Sequence, residues 1–390
     1  MECPSMPLID YSEFNKKFFP QVYSERIPLV GGMECTFRCN LHCVHCYVPR
    51  KKKNLRELSL KQTCHILDQV ADEGCLWFLL TGGEPLVQPD FLEIYKYAKK
   101  KGLIVTIFTN GTLITQRIAG FLRDLPPFLV EITMYGATKE TYERVTRVEG
   151  SFERYRQGID LLLKNGIQLQ LKALILKINK HELWDMKAQA TSFGVDFRFD
   201  GVINPQLDGN LNPCAERISP EEMVELDIQD RARFDEWQRF AKKYAKRYNS
   251  KDSKERKNYF YHCGAGINCF HIAPDGQLCP CLLARHPSYD LLKGTFHRGW
   301  HEFMRQVRFQ EAPEDYQCGN CDLLSLCGYC PGWYQLERVK TEEPRHYLCQ
   351  IAHLRAKAFL GEKYFKKKEV AKWLLAKPTS RQRSKRSSWR

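Results

Sequence analysis

Three observations predict an α/β fold built on a partial barrel of parallel strands. Short apolar runs alternate with amphipathic helical stretches through six consecutive units between residues 27 and 218. Strand–helix–strand connections of this kind are right-handed crossovers, which leave the strands parallel. The predicted strands also end in polar or glycine-rich turns, and the chemistry of a parallel barrel gathers at the C-terminal ends of its strands. The expected architecture is a partial, TIM-like (β/α)6 barrel followed by a small cysteine-rich domain.

Residues 1–26 are mixed in character and are expected to cap a barrel end as a strand or a helix. The first strand, near 28–33, runs into Cys39-Asn40-Leu41-His42-Cys43-Val44-His45-Cys46. Ser59 is a suitable N-cap for a helix to about residue 73, with Ile66, Leu67 and Val70 on one face. The second strand, 76–80, is a continuous apolar run of the kind parallel sheets bury, and it ends in Thr81-Gly82-Gly83-Glu84-Pro85. A helix over 91–101 closes at Gly102. Strand three, 103–108, ends in Thr109-Asn110-Gly111 and leads to a helix over 115–123. Strand four, 129–133, ends in Met134-Tyr135-Gly136, and helices over 138–145 and 151–165 follow. Strand five, 168–176, ends at Lys177-Ile178-Asn179, and a helix over 182–193 leads to strand six, 195–199, which ends in Asp200-Gly201.

Beyond the barrel, Ser219-Pro220-Glu221-Glu222 opens a long charged helix to about 248, and 249–258 reads as a polar linker. Residues 351–377 have helical spacing, and a Ser/Arg/Lys tail follows from Pro378. The expected division is a cap (1–26), the barrel (27–218), a helical linker (219–262), a cysteine-rich domain (263–355), and a C-terminal helix with a basic tail (356–390).

At 390 residues the chain is long for one domain and comfortable for two. It has neither a secretion signal nor the ~20 consecutive apolar residues of a membrane span, so a soluble cytoplasmic protein is expected. The 17 cysteines would stay reduced there, and their crowding into two regions points to metal rather than disulfides. The net charge of +14 is uneven, with basic runs at Arg50-Lys51-Lys52-Lys53 and in 377–390. These read as a solvated loop and tail, with binding of an acidic peptide or polyanion as the alternative.

Three thiols at spacings of three and two intervening residues are one short of the four that hold a cubane iron–sulfur cluster. An iron left without a protein ligand can bind a small molecule. The competing reading is a Cys3His zinc site completed by His42 or His45. Glycine-rich polar turns at the next three strand ends weigh against it, since a structural zinc loop has no use for them.

Cys39-x3-Cys43-x2-Cys46 resembles the signature of the radical S-adenosylmethionine (SAM) enzymes. The resemblance implies a [4Fe-4S] cluster on Cys39, Cys43 and Cys46 whose fourth iron chelates SAM. One electron then cleaves the sulfonium to a 5′-deoxyadenosyl radical, which removes a substrate hydrogen. His45 stands at the family's usually aromatic position near the adenine. Gly82, Gly83, Glu84 and Pro85 resemble the turn that meets the SAM amino group through its backbone, with Glu84 holding the turn in shape. Thr109 and Asn110 would present hydroxyl and amide groups to the ribose or carboxylate. Thr133 would lie near the ribose, and Asn179 would approach the adenosine. Arg144 or Arg154 would meet the SAM carboxylate, or either is an ordinary surface cation. No catalytic residue is assigned.

The eight thiols of Cys263, Cys269, Cys281, Cys318, Cys321, Cys327, Cys330 and Cys349 are the number two fully ligated four-iron clusters need, with zinc ribbons as the competing reading. Their arrangement resembles the SPASM extension of radical SAM maturases. That likeness implies one auxiliary cluster on Cys263, Cys269, Cys281 and Cys330, and a second on Cys318, Cys321, Cys327 and Cys349. Two departures stand out. Two residues, not three, separate Cys327 from Cys330, and Cys279 competes with Cys281, which keeps the glycine spacing. Cys64 and Cys75 fit apolar positions, and Cys214 is a candidate to face the substrate.

Enzymes of this type imply net oxidation of a ribosomally made peptide or protein, such as a crosslink, with an electron leaving through the auxiliary clusters. The electron donor would be a flavodoxin or ferredoxin. Residues 1–26 are too few for a leader-binding domain, which calls for a separate leader-binding partner or favours a small-molecule or cofactor precursor as substrate. Formylglycine formation in sulfatases is demoted, because Leu282 stands where those maturases place their base, although Asp200 or Asp208 could replace it. A zinc-ribbon nucleic-acid binder is the reading from another class, and Gly82-Gly83-Glu84-Pro85 weighs against it.

Overall fold

The computed structural model describes residues 11–49, 56–248, 259–313, 318, 321, 323–328, 330–337 and 346–361. The run Arg50-Lys51-Lys52-Lys53, the expected linker 249–258 and the basic tail lie outside the described residues. Helix α1 (Tyr11–Glu25) precedes β1 (Val30–Glu34). Strand and helix then alternate through α2 (Leu60–Asp72), β2 (Trp77–Thr81), α3 (Phe91–Lys100), β3 (Ile104–Thr109), α4 (Gln116–Asp124) and β4 (Leu129–Met134). After α5 (Lys139–Thr146) and α6 (Ser151–Lys164) come β5 (Leu169–Leu174), α7 (Leu183–Ser192) and β6 (Asp196–Asp200). Helices α8 (Pro220–Gln229) and α9 (Arg231–Tyr248) follow, then β7 (His271–Ile272), β8 (Gln277–Cys279) and β9 (Tyr289–Asp290). Helix α10 (Phe296–Arg298), a π-helical turn (Gly299–Phe303), α11 (Met304–Arg308), α12 (Leu324–Cys327), α13 (Pro331–Glu337) and α14 (His346–Leu360) complete the order.

The described residues fall into two compact units. The first takes residues up to 218 together with 259–313 and 330–337, and the second takes 219–248, 318–328 and 346–361.

In the first unit one sheet runs β6-β5-β4-β3-β2-β1-β7-β8-β9. The strands β1 to β6 are parallel neighbours in chain order, as six crossover units require. Strands β1, β2, β3, β4 and β6 each end one residue later than the apolar pattern indicates, and β5 ends two residues earlier. The polar last residues among these still pair, Thr81 with Glu34, Thr109 with Ile132 and Asp200 with Leu174. The β7–β9 meander extends the same sheet, with Ile272 beside Met33 on β1.

Alternation along the strands sends Leu169, Leu171 and Ala173 of β5 into the core, while Lys172 faces the barrel interior. Glu131 on β4 and Arg198 on β6 meet there, with Arg198 Nε donating to Glu131 Oε2 at 2.8 Å. A buried cluster ties the meander to β1, since Arg285 donates to Glu34 Oε2 at 2.5 Å and His271 lies 3.5 Å from the same oxygen. Helix α1 is held by Arg26, whose guanidinium donates to Gly266 O at 3.0 Å and lies over the Trp300 ring at 5.2 Å.

The long charged helix expected over 219–248 is two helices. The chain turns extended at Asp230 (φ −81°, ψ 110°), and its Oδ1 accepts from Arg233 N at 3.2 Å, so Asp230 ends α8 and caps α9.

In the second unit the α8, α9 and α14 helices pack around Phe359, whose ring lies 6.4 Å from that of Trp237 and 5.6 Å from that of Phe234. Asp227 is fully buried there, accepting from Arg233 Nε and Arg355 Nε at 2.9 Å each. Arg355 also lies 3.9 Å over the Trp237 ring. Asp227→Ala strands two guanidinium groups, and its expected cost is about 3–5 kcal/mol, read as a lower urea midpoint for unfolding. Among the described residues no helix is long and apolar enough to cross a membrane.

Candidate active site

Directly after β1 the chain is stitched to two other segments before it reaches the thiols. Cys35 N donates to Thr81 O (2.7 Å), Gly83 N to Thr36 O (2.8 Å) and Glu84 N to Arg38 O (2.9 Å), so the glycine turn after β2 lies backbone-to-backbone against residues 35–38. A Cβ on Gly82 would stand 2.7 Å from Thr36 O, which is why glycine is needed at this crossing. Glu57 completes the stitching by accepting from Thr36 Oγ1 (2.6 Å) and Phe37 N (2.9 Å). Farther along, His42 N and Val44 N donate to Thr146 O (2.9 Å) and Val145 O (3.0 Å) at the end of α5.

This loop brings Cys39, Cys43 and Cys46 to one cavity of about 280 Å³ at the C-terminal ends of the strands. His45, Gly82, Gly83, Thr109, Asn110 and Thr133 line the same cavity. Glu84, Pro85 and Asn179 are not on its wall. Glu84 is fully buried and takes hydrogen bonds from Thr109 Oγ1 (2.6 Å), Asn110 N (2.7 Å) and Leu86 N (3.1 Å), binding the ends of β2 and β3 together. Burial pushes its carboxyl up to about 7, against the pull of those three donors.

Three of the expected contact residues already have hydrogen-bond partners within the chain. The Thr109 hydroxyl donates to Glu84, and the Asn110 amide is engaged with Asn40 (2.9 Å) and Thr112 (2.6 and 2.9 Å), so both side chains brace the site. Asn179 lies off the cavity wall. Its buried amide spans Tyr135 O (2.9 Å), Leu174 O (2.9 Å) and Leu176 N (2.7 Å), and it shapes the end of β5 from outside the cavity. Neither Arg144 nor Arg154 lines the cavity, and the cation on the wall is Lys172.

Residues missed in the sequence also line it. Tyr135 packs on the His45 ring at 5.2 Å, and Glu131 and Lys172 are on the wall. Of the positions weighed in the sequence, Leu282 and Asp200 are on the wall too, whereas Asp208 and Cys214 are not. Tyr135 could have been found from its place in the turn after strand four. His45 is buried with its pKa lowered to about 4, so the imidazole is neutral, and its Nδ1 has no partner among the described residues.

The eight remaining thiols group by unit. Cys263, Cys269, Cys281 and Cys330 all lie in the first, close enough for Cys263 to act electrostatically on the other three. Cys279 points elsewhere, donating to Gln277 O (3.6 Å) and Arg285 O (3.7 Å). Cys318, Cys321, Cys327 and Cys349 lie in the second unit, where Cys321 N donates to Cys318 O at 3.1 Å and α12, which ends in Cys327, packs on α14, which carries Cys349. Burial pushes Cys39 and Cys330 up to about 11 and Cys269 up to about 12, the opposite of an activated nucleophile. Grouped thiols of this kind are a donor set suited to a metal, whose charge takes the proton's place. A three-thiol set on a cavity edged by glycine backbone and a neutral imidazole fits a cluster that keeps one iron open.

Residues 33–190 match the family model described as the Radical SAM superfamily. The AdoMet-dependent heme synthase of Methanosarcina barkeri is 26% identical over 321 residues, covering 78% of this chain and 91% of that protein. The subtilosin biosynthesis protein AlbA of Bacillus subtilis is 27% identical over 333 residues, covering 84% of this chain and 71% of its own. Among solved structures, Streptococcus suis SuiB bound to its precursor peptide SuiA aligns with a TM-score of 0.62 at 17% identity, over 90% of this chain and 84% of that one, a likeness of fold. Residues 33–190 are thus a radical SAM domain, and the chain is an enzyme.

Proposed function

We propose that the chain is a radical SAM maturase that oxidises a ribosomally made peptide or protein. The observation that carries this reading is the meeting of Cys39, Cys43 and Cys46 with the Gly82-Gly83 turn on one cavity at the barrel mouth. In this proposal the three thiols hold a [4Fe-4S] cluster with one iron open to SAM. Bound there, cluster and SAM supply one-electron reductive cleavage and hydrogen abstraction from the substrate.

The chain's own residues do the rest. Gly82 and Gly83 offer backbone to the nucleotide, and Glu84, Thr109 and Asn110 keep that turn and the thiol loop in register. Thr133 and the His45–Tyr135 pair form further wall, and the side chains around them exclude bulk water. Cys263, Cys269, Cys281 and Cys330 would hold one auxiliary cluster and Cys318, Cys321, Cys327 and Cys349 the other, giving an electron a way out after abstraction. A reduced flavodoxin or ferredoxin would supply the first electron, in the cytoplasm. Support for a peptide substrate comes from the likeness to AlbA and from the fold shared with peptide-bound SuiB.

A small-molecule precursor is the second reading, favoured by similarity to a heme synthase along nine-tenths of that enzyme's length. Anaerobic protein given peptides encoded beside its gene separates the two, since the peptide reading requires a mass loss of two hydrogens on a peptide. The electron exit has its own test. Cys281→Ala is expected to lose one auxiliary cluster and product formation while still cleaving SAM, and undiminished product from that variant would sink the role.

A further inference from the structure

On the surface of the first unit, a carboxylate faces two histidines from a distant stretch of chain. Glu73 caps the C-terminus of α2, while His297 lies in α10 and His301 in the π-helical turn that follows. His297 Nδ1 is 2.5 Å from Glu73 Oε1, His301 Nε2 is 2.9 Å from Glu73 Oε2, and the two imidazole centroids are 4.5 Å apart. We propose that Glu73, His297 and His301 form a divalent-cation site of the zinc type, separate from the cysteine clusters and joining α2 to the α10–α11 segment.

The donor set is the first reason. Two imidazoles and one carboxylate, with a fourth position left to water, are a recurrent zinc set. The second is spacing. The three donor atoms lie within 4.8 Å of one another, and tetrahedral bonds of about 2.0–2.1 Å place donors roughly 3.4 Å apart, so small side-chain rotations close the shell. The third is charge. A single carboxylate faces both rings. A divalent ion takes both rings neutral and leaves the carboxylate ionised.

The backbone beneath is already held in place. Gln69, one turn before Glu73 on α2, accepts from Phe296 N at 2.8 Å, and Phe296 and Trp300 are fully buried with rings stacked at 6.4 Å. A π-helical turn within a helix re-aims the side chains it carries, and such turns concentrate at functional sites. Glu73 and His301 are half-buried and His297 is exposed, which leaves an entry path and room for the water.

The test uses the full chain with its iron–sulfur clusters in place, freed of loose metal and given one equivalent of Zn2+. Zinc counting and zinc-edge X-ray absorption are expected to find one zinc per chain with nitrogen and oxygen neighbours. His297→Ala/His301→Ala should lose that zinc at unchanged iron content. Glu73→Gln keeps the shape and should weaken zinc binding at least about tenfold, because it removes the charged ligand. Equal zinc in the wild-type and double-variant proteins, equal affinity in Glu73→Gln, or a sulfur-dominated shell would each overturn the proposal.

Discussion

Cys43→Ala protein, prepared without oxygen and reduced with dithionite, is expected to make no measurable 5′-deoxyadenosine from SAM. The three thiols at the barrel mouth sit on one loop, pinned at residues 35–38 to the glycine turn and at His42 and Val44 to the end of α5. Removing one leaves a two-thiol set on which a four-iron cluster has two unheld corners. Changes in the outer shell of a metal site already cost 10–100-fold, so losing a ligand should cost more than roughly a hundred-fold. The protein should stay brown, because the other eight thiols are untouched, and its iron should fall by roughly a third, one cluster of three. Cys279→Ala is the control. That thiol is buried and turned to backbone carbonyls, so its loss should leave SAM cleavage within a few-fold of wild type. Cleavage by Cys43→Ala at the wild-type rate would remove the site from this loop.

Much of the site was legible because it rests on residue types with narrow uses. Three thiols spaced within one loop, and glycines directly after an apolar run, survive any ambiguity about where a strand ends. Inward-facing residues of the barrel were harder to read. On β4 and β5 a buried Glu131 and a cavity-lining Lys172 interrupt runs that otherwise signal core, and only their place on the cavity wall shows that they face inward. The β7–β9 meander was invisible for a different reason. Its strands span two or three residues, too short for a period of two to register, and their place beside β1 depends on a pairing some 240 residues apart in sequence. Side-chain roles were the least legible. Thr109, Asn110 and Asn179 carry groups that suit a nucleotide, yet here their hydrogen bonds go to Glu84, to Asn40 and Thr112, and to strand-end backbone. A sequence shows which groups are present and not which are already engaged.

Glu84 gives the second large effect, and it depends on pH. Its carboxyl is raised from an ordinary 4.5 to about 7, mainly because it is cut off from water. The folded chain therefore holds this proton more tightly than the unfolded chain does. The stability it contributes is fully present below pH 4.5 and is lost as the pH rises through 7. At 1.36 kcal/mol per tenfold change in proton affinity, the loss amounts to roughly 3 kcal/mol. Glu84→Gln cannot titrate, so it lacks this slope. Its amide nitrogen must also face a donor, Asn110 N or the Leu86 N and Thr109 pair, which costs about 1–3 kcal/mol at any pH. At pH 5 the variant should thus be the less stable protein by urea unfolding, and by pH 8 the gap should close or reverse. Other titrating groups act on both proteins alike, so the difference between the two curves isolates Glu84. A gap that stays constant from pH 5 to 8 would mean that the three donors outweigh burial and that the carboxylate is ionised throughout. Glu84→Ala leaves all three donors unanswered and unties the glycine turn from β3. Its expected signature is a SAM dissociation constant raised at least about tenfold, alongside the lost stability.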